Sequence, residues 1–162
     1  MQGRVSQEYL DQFFNHPKPF PKPYEIVNRI EEVFKVVKER RTEEILIEKD
    51  RISESYDNLP WWKKIGKGRP TDLTFAERAV LSYMDTVNPI EYFSSQSQAF
   101  KEYEKQLKNL QIVVDVIKLA SLSKSQVWCT AYEMRALEQV YKNMDDYIYL
   151  DDTVECSLQK YL

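Results

Sequence analysis

Between residues 100 and 117, Phe100, Tyr103, Leu107, Leu110, Val114 and Ile117 alternate at spacings of three and four. Only a helix lines such positions along one side, because its 3.6-residue turn brings every third and fourth residue onto the same face. The run covers nearly three heptads, the pattern of a helix that packs lengthwise against another. Ile112, Val113 and Val116 widen the stripe, so this helix is expected to be buried on more than one side.

The same period recurs along the chain. Ile26, Ile30, Val33 and Val37 carry it first, and Ile45, Ile52, Tyr56 and Leu59 resume it. Ala76, Ala79, Val80, Tyr83, Met84 and Val87 form a third stripe, and Val127, Ala131, Met134, Leu137, Tyr141 and Met144 a fourth. Start signals agree with the stripes. Thr74-Phe75-Ala76-Glu77 is a capping box, in which the threonine hydroxyl accepts from a free helix N–H and the glutamate reaches back. Ser95 to Gln98, Ser123 with Gln126, and Asp152 with Glu155 repeat that chemistry. Pro23 suits the start of a helix and Asn88-Pro89 the end of one. Gly3, Gly66 and Gly68 are the only glycines, too few for a turn-rich β fold. Because local and long-range signals coincide, the expectation is an all-α fold. It is a five- to six-helix bundle with a long N-terminal helix, a proline-rich N-terminal arm and no sheet.

The organisation follows. Residues 1–23 read as an arm: a short amphipathic stretch with Tyr9, Leu10, Phe13 and Phe14, then the alternating prolines from His16 to Pro23, which favour stiff polyproline-II chain. Residues 24–162 read as one helical domain. It comprises a long helix over 24–58, a basic loop over 59–73 and a helical bundle over 74–162. The polar run from Lys38 to Glu44 fits either continuous helix or a break, and Ile45-Leu46-Ile47 fits a short strand without an evident partner. Tyr147 to Leu150 reads as an apolar linker before a last short helix carrying Val154, Leu158 and Tyr161.

Several functions are excluded on chemical grounds. No apolar run approaches the length that spans a bilayer, so no membrane partner is expected. The first residues lack a charged head, apolar run and cleavage site, which makes the cytoplasm the expected compartment. Aromatic residues reach 13% of the chain and demand a core. With three glycines no Gly-rich phosphate cradle can be built. Cys129 and Cys156 stand in no C-x-x-C and near no histidine, and read as reduced, mostly buried thiols, with a disulfide between them the alternative that only geometry decides. The one histidine, His16, lies in the arm. No metal-ligand cluster, cofactor motif or nucleophile–base pair is present, so no cofactor, no small-molecule substrate and no catalytic residues are expected. Asp145, Asp146, Asp151 and Asp152 would suit a hard cation or a basic partner. They suit equally a solvated turn in which Asp152 caps the last helix.

One constellation points to binding. Trp61, Trp62, Lys63, Lys64, Lys67 and Arg69 put four cations and two large aromatics in nine residues with no acid among them. Cations neutralise phosphates and indoles stack on bases, so this loop is the expected contact to nucleic acid. The plainer reading buries the tryptophans as anchors and leaves the lysines solvated. A net charge of −3 argues against a general nucleic-acid coat and for a local patch. The alternative is a protein-interaction module without nucleic acid. It would join a partner or a second copy through Phe100, Tyr103, Leu107, Leu110, Val114 and Ile117.

The layout of residues 24–162 resembles phage late-gene transcription activators of the RinA and ArpU kind. The resemblance runs through a charged helix, a Pro/Trp linker at Leu59-Pro60-Trp61 and a helix opening on Thr74-x-x-Glu77-x-Ala79-Val80. It continues through the long amphipathic helix from Phe100 to Ile117 and the Arg-x-Leu-Glu-x-x-Tyr stretch from Arg135 to Tyr141. It implies an intracellular regulator of phage or mobile-element origin that binds DNA. The segment matching the DNA-reading end, Asp151 to Leu162, sets Asp151, Asp152 and Glu155 against Lys160, and an acidic reader would be repelled by phosphate. DNA contact would then fall to Trp61–Arg69.

Overall fold

The apolar stripe of residues 100–117 lies within the longest helix but one, and the bundle is built around it. The computed structural model describes residues 2–14, 17–70, 72–123 and 127–162. Among them the order is β1 (Gln2–Val5), α1 (Gln7–Asp11), α2 (Pro23–Asp57), α3 (Trp61–Lys64), α4 (Phe75–Thr86) and α5 (Pro89–Gln96). It continues with α6 (Gln98–Ser123), β2 (Val127–Thr130), α7 (Ala131–Lys142), α8 (Met144–Ile148) and α9 (Leu150–Leu158). The protein is an all-α bundle with a long N-terminal helix. His16, and the Gln126 needed for a cap at Ser123, lie outside the described residues.

Helix α6 packs against α5, α7, α9, α2 and α1. Phe100, Leu107 and Leu110 are buried among these elements, together with Val113, Val116 and Ala120. Tyr103 is half-buried and its hydroxyl lies 3.0 Å from Ser157 Oγ. The expected partner-binding seam is therefore occupied by the protein's own core along most of its length. Phe93 and Phe100 stack with centroids 5.1 Å apart, and Tyr161 meets Phe93 edge-on at 4.8 Å. Phe34 closes the cluster from α2. Each such buried side chain contributes about 1.5–3 kcal/mol through the area it removes from water.

Helix α2 runs unbroken for 35 residues, about 52 Å. The polar run from Lys38 to Glu44 is helix, because lysine, arginine and glutamate lose little rotamer freedom there. Thr42 Oγ1 donates to the Lys38 carbonyl at 2.9 Å, and Lys38 pairs with Asp85 of α4 at 2.6 Å. Ile45-Leu46-Ile47 is helical, not a strand. The first half of α2 sets Ile26, Ile30, Val33 and Phe34 in the core. In its second half the buried residues are Ile45, Lys49 and Ser53.

The sheet departs from expectation. β1 pairs antiparallel with β2, Gly3 opposite Cys129 and Val5 opposite Val127. Four-residue strands are too short for a two-residue alternation to stand out, and their partners are over a hundred positions apart. Gly3 permits the approach: a Cβ there would stand 3.1 Å from the Met134 sulfur. With Val5, Leu10 and Phe13 buried, the N-terminal stretch belongs to the bundle. Lys18 ties the proline segment to Asp152 and lies 4.6 Å over the Tyr149 ring.

Helix starts are partly as expected. At Thr74 the box is complete: the Glu77 N–H donates to Thr74 Oγ1 at 3.1 Å and the Thr74 N–H to Glu77 Oε1 at 3.2 Å. Helix α7 opens at Thr130 with its own box, closed by Glu133. Leu137 is buried as expected, together with Ala136 and Val140, while Met134 lies against Gly3 and Tyr141 against Tyr9 and Phe13 with part of each side chain exposed. Ser95 Oγ donates to the Tyr92 carbonyl instead of capping α6. Asn88 caps α5, its Oδ1 accepting from the Ile90 N–H at 3.0 Å. Tyr147 to Leu150 is not a linker: it spans the end of α8 and the start of α9. Asp152 therefore lies in the first turn of α9, where its charge favours the helix end, rather than at the cap.

Candidate nucleic-acid interface

Helix α2 ends where Asn58 donates to the Glu54 carbonyl at 3.0 Å, and Leu59-Pro60 turns the chain into α3. A four-residue helix cannot sustain itself. This one is strapped to the end of α2 by polar contacts. The Tyr56 hydroxyl donates to the Lys67 carbonyl at 2.8 Å, and Ser53 Oγ to the Pro70 carbonyl at 2.7 Å. Arg69 grips the Asp57 carboxylate through two bonds of 2.9 and 3.0 Å. Lys64 Nζ donates to the Asp57 carbonyl at 2.9 Å and lies 5.5 Å over the Tyr56 ring. Gly66 makes the return with a φ of +76°, a conformation that disfavours any side chain. Within the region 59–73, expected as loop throughout, Trp61–Lys64 is therefore a helical turn, and residues 65–70 return along the end of α2.

The tryptophans are not anchors. Trp61 is 73% exposed and Trp62 59%, with indole centroids 6.1 Å apart and planes nearly perpendicular. Ile65 is exposed beside them. The cations divide into two pairs. Lys64 and Arg69 are committed to the end of α2. Lys63 and Lys67 are exposed, and among the described residues their ammonium groups meet no hydrogen-bonding or ion-pair partner. The six residues are thus brought to one tip, with two free cations and two open indoles.

Asp57 lies outside the basic window that begins at Trp61 and is not legible from composition. Its partner Arg69 is twelve residues further on across a turn, a spacing that carries no periodic signal. The hydrogen bond from Arg69 holds its carboxyl below the ordinary aspartate range and raises the guanidinium in turn. A second polar clamp sets the angle of α4: Lys49, almost buried, pairs with Glu77 at 2.9 Å. Glu77 also closes the Thr74 box, and the Lys49 hydrogen bond lowers its carboxyl pKa.

Elsewhere, Asp151 and Asp152 face Lys18. Among the described residues no group of three histidine, cysteine or acidic side chains is placed to hold a metal ion. Cys129 is buried and Cys156 exposed, both as free thiols. No described helix is long and apolar enough to cross a membrane. Residues 150–158 turn Leu150, Val154 and Leu158 into the core, and Glu155 accepts two bonds of 2.9 Å from Arg29. No protein-family model, curated protein or solved structure matches the chain. The class the structure defines is a helical bundle that carries a basic aromatic tip at the end of its long helix.

Proposed function

We propose that this protein is a non-enzymatic nucleic-acid-binding protein that works through the tip of α2 and α3. The observation that carries the proposal is the exposure of both Trp61 and Trp62 beside the unpartnered Lys63 and Lys67. Exposed indole faces are costly in water and stack well on bases, while free ammonium groups release counterions from phosphates. A base must be unstacked to lie on an indole, so the preferred ligand is single-stranded or locally open. The regulatory role implied by the resemblance to phage activators would run through this tip, since α9 is engaged by the core and by Arg29. The test is a titration with random single-stranded and duplex oligonucleotides at low and moderate salt. Binding that weakens steeply with salt and is lost in Trp61→Ala/Trp62→Ala supports the proposal. Absence of binding at low salt removes it.

The second reading, a protein-interaction module, rests on a different surface from the one the sequence suggested. Phe75 of α4 is 85% exposed, and Ala79 and Tyr83 continue from it at four-residue spacing on a face turned away from α2. A second copy or partner helix would dock there, and Phe75→Glu would abolish the association in a sedimentation experiment.

A further inference from the structure

The stripe on α6 is sealed at Leu107 and Leu110 but not at Val114 and Ile117, which stay half-buried. The proline segment crosses them without covering them: Pro21 and Pro23 are buried and Phe20 is half-buried. Between segment and helix lies a groove of about 340 Å³. Its walls are Phe20, Pro21, Val114 and Ile117, with Val113 as the floor, and its rim carries Lys22 and Lys118. Among the described residues that line it none is acidic. Beside it Glu25 forms an ion pair with Lys22 Nζ at 3.8 Å, longer than a hydrogen bond.

Apolar walls with a few convergent polar groups define a small-molecule site, and this volume lies at the small end of that class. The α6 wall, Val113 to Lys118, rises only about 7.5 Å, too short a track for a partner helix or strand. Two ammonium groups on one rim choose the sign of the ligand. We infer that the groove binds a small amphiphilic anion, a medium-chain aliphatic carboxylate. Its chain lies on Val114 and Ile117, and its head meets Lys22 and Lys118.

The test is an amide chemical-shift titration of the full chain with octanoate below its micellar concentration, with octanol and octyltrimethylammonium as controls. Saturable shifts centred on residues 20–24 and 113–118 are expected. Octanol should bind more weakly at the same residues, and the ammonium compound should give no saturable shift there. Lys118→Glu, an exposed change that leaves the core intact, should weaken octanoate by about fivefold or more and leave octanol unchanged. Ile117→Trp should fill the groove and abolish both, with thermal unfolding confirming that it folds. Shifts that do not saturate, shifts that centre elsewhere, equal binding of the cationic amphiphile, or full octanoate affinity in Lys118→Glu would each overturn the inference.

Discussion

Asp57 restrains the proposed interface, so its removal should strengthen binding. In Asp57→Asn the backbone carbonyl that holds Lys64 is retained, and the amide oxygen can still accept one bond from Arg69. What disappears is the negative charge beneath four cations, which raises the formal charge of the tip from three to four. If Arg69 then reaches one additional phosphate, the slope of log K against log salt should steepen by about 0.7 on single strands or 0.9 on duplex. Across a fourfold rise in salt, from about 50 to 200 mM, the variant should lose about 2.6- to 3.5-fold more affinity than the parent, from a tighter start at low salt. Anisotropy of a labelled oligonucleotide across a salt series measures this directly. Lys63→Ala/Lys67→Ala is the counterpart and should flatten the single-strand slope by about 1.4. If Asp57→Asn binds no more tightly at low salt, or with an unchanged slope, the partition of the four cations into free and restrained is irrelevant to binding.

Other outcomes follow from packing and titration. Phe93→Ala removes the ring on which Phe100, Tyr161 and Phe34 converge and should cost about 3–5 kcal/mol in a denaturant titration; a loss under 1 kcal/mol would contradict that packing. Trp61, Trp62 and Trp128 are all exposed, so native fluorescence should already resemble that of solvated indole, and a large red shift on unfolding would refute the placement. The hydrogen bonds from Arg29 depress the Glu155 carboxyl below its unfolded value. The stability from this pair is therefore present above the unfolded pKa and disappears as pH falls through the lower folded value. Glu155→Gln should flatten that part of the acid limb of a stability–pH curve. Amides of residues 61–70 should exchange with solvent far faster than those of 107–116, because polar contacts alone fix the tip.

What the sequence displayed was periodicity, and what it concealed was position. The stripe from Phe100 to Ile117 disclosed a helix and its buried side, but not whether that side faced another molecule or the same one. Nothing in a heptad run distinguishes the two when the remaining helices come from one chain. The α7 stripe was right at Leu137, which is buried, and at Val127 and Met144, which pack against the core, but it missed Ala136 and Val140 and included the more exposed Met134 and Tyr141. Which face of α7 is buried is decided by its packing against α6 and the strand pair, which a single stripe does not reveal. The strand pair escaped because four residues hold no reliable period, and the polar run at Lys38–Glu44 was ambiguous because its stability comes from propensity and local pairs, not from a stripe. The site was half legible. Composition singled out Trp61 to Arg69, but exposure of the indoles and capture of Arg69 by Asp57 depend on how the chain doubles back.

The distribution of burial along α2 joins fold to proposed function. Its first half contributes Ile26, Ile30, Val33 and Phe34 to the common core, so it is as stable as the bundle. Its second half buries Ile45 with two polar residues, Lys49 and Ser53, and each polar residue needs a partner on the returning chain, Glu77 and the Pro70 carbonyl. Apolar contacts are tolerant of direction, whereas a hydrogen bond or ion pair fixes one geometry. The far half of α2 is thus oriented more than it is stabilised. Such an element suits presentation: the bundle anchors one end of the helix, and directional contacts hold Trp61, Trp62, Lys63 and Lys67 in place at the other without covering them. A hydrophobic contact built on the indoles in place of those polar clamps would take them from the surface on which the proposed binding depends.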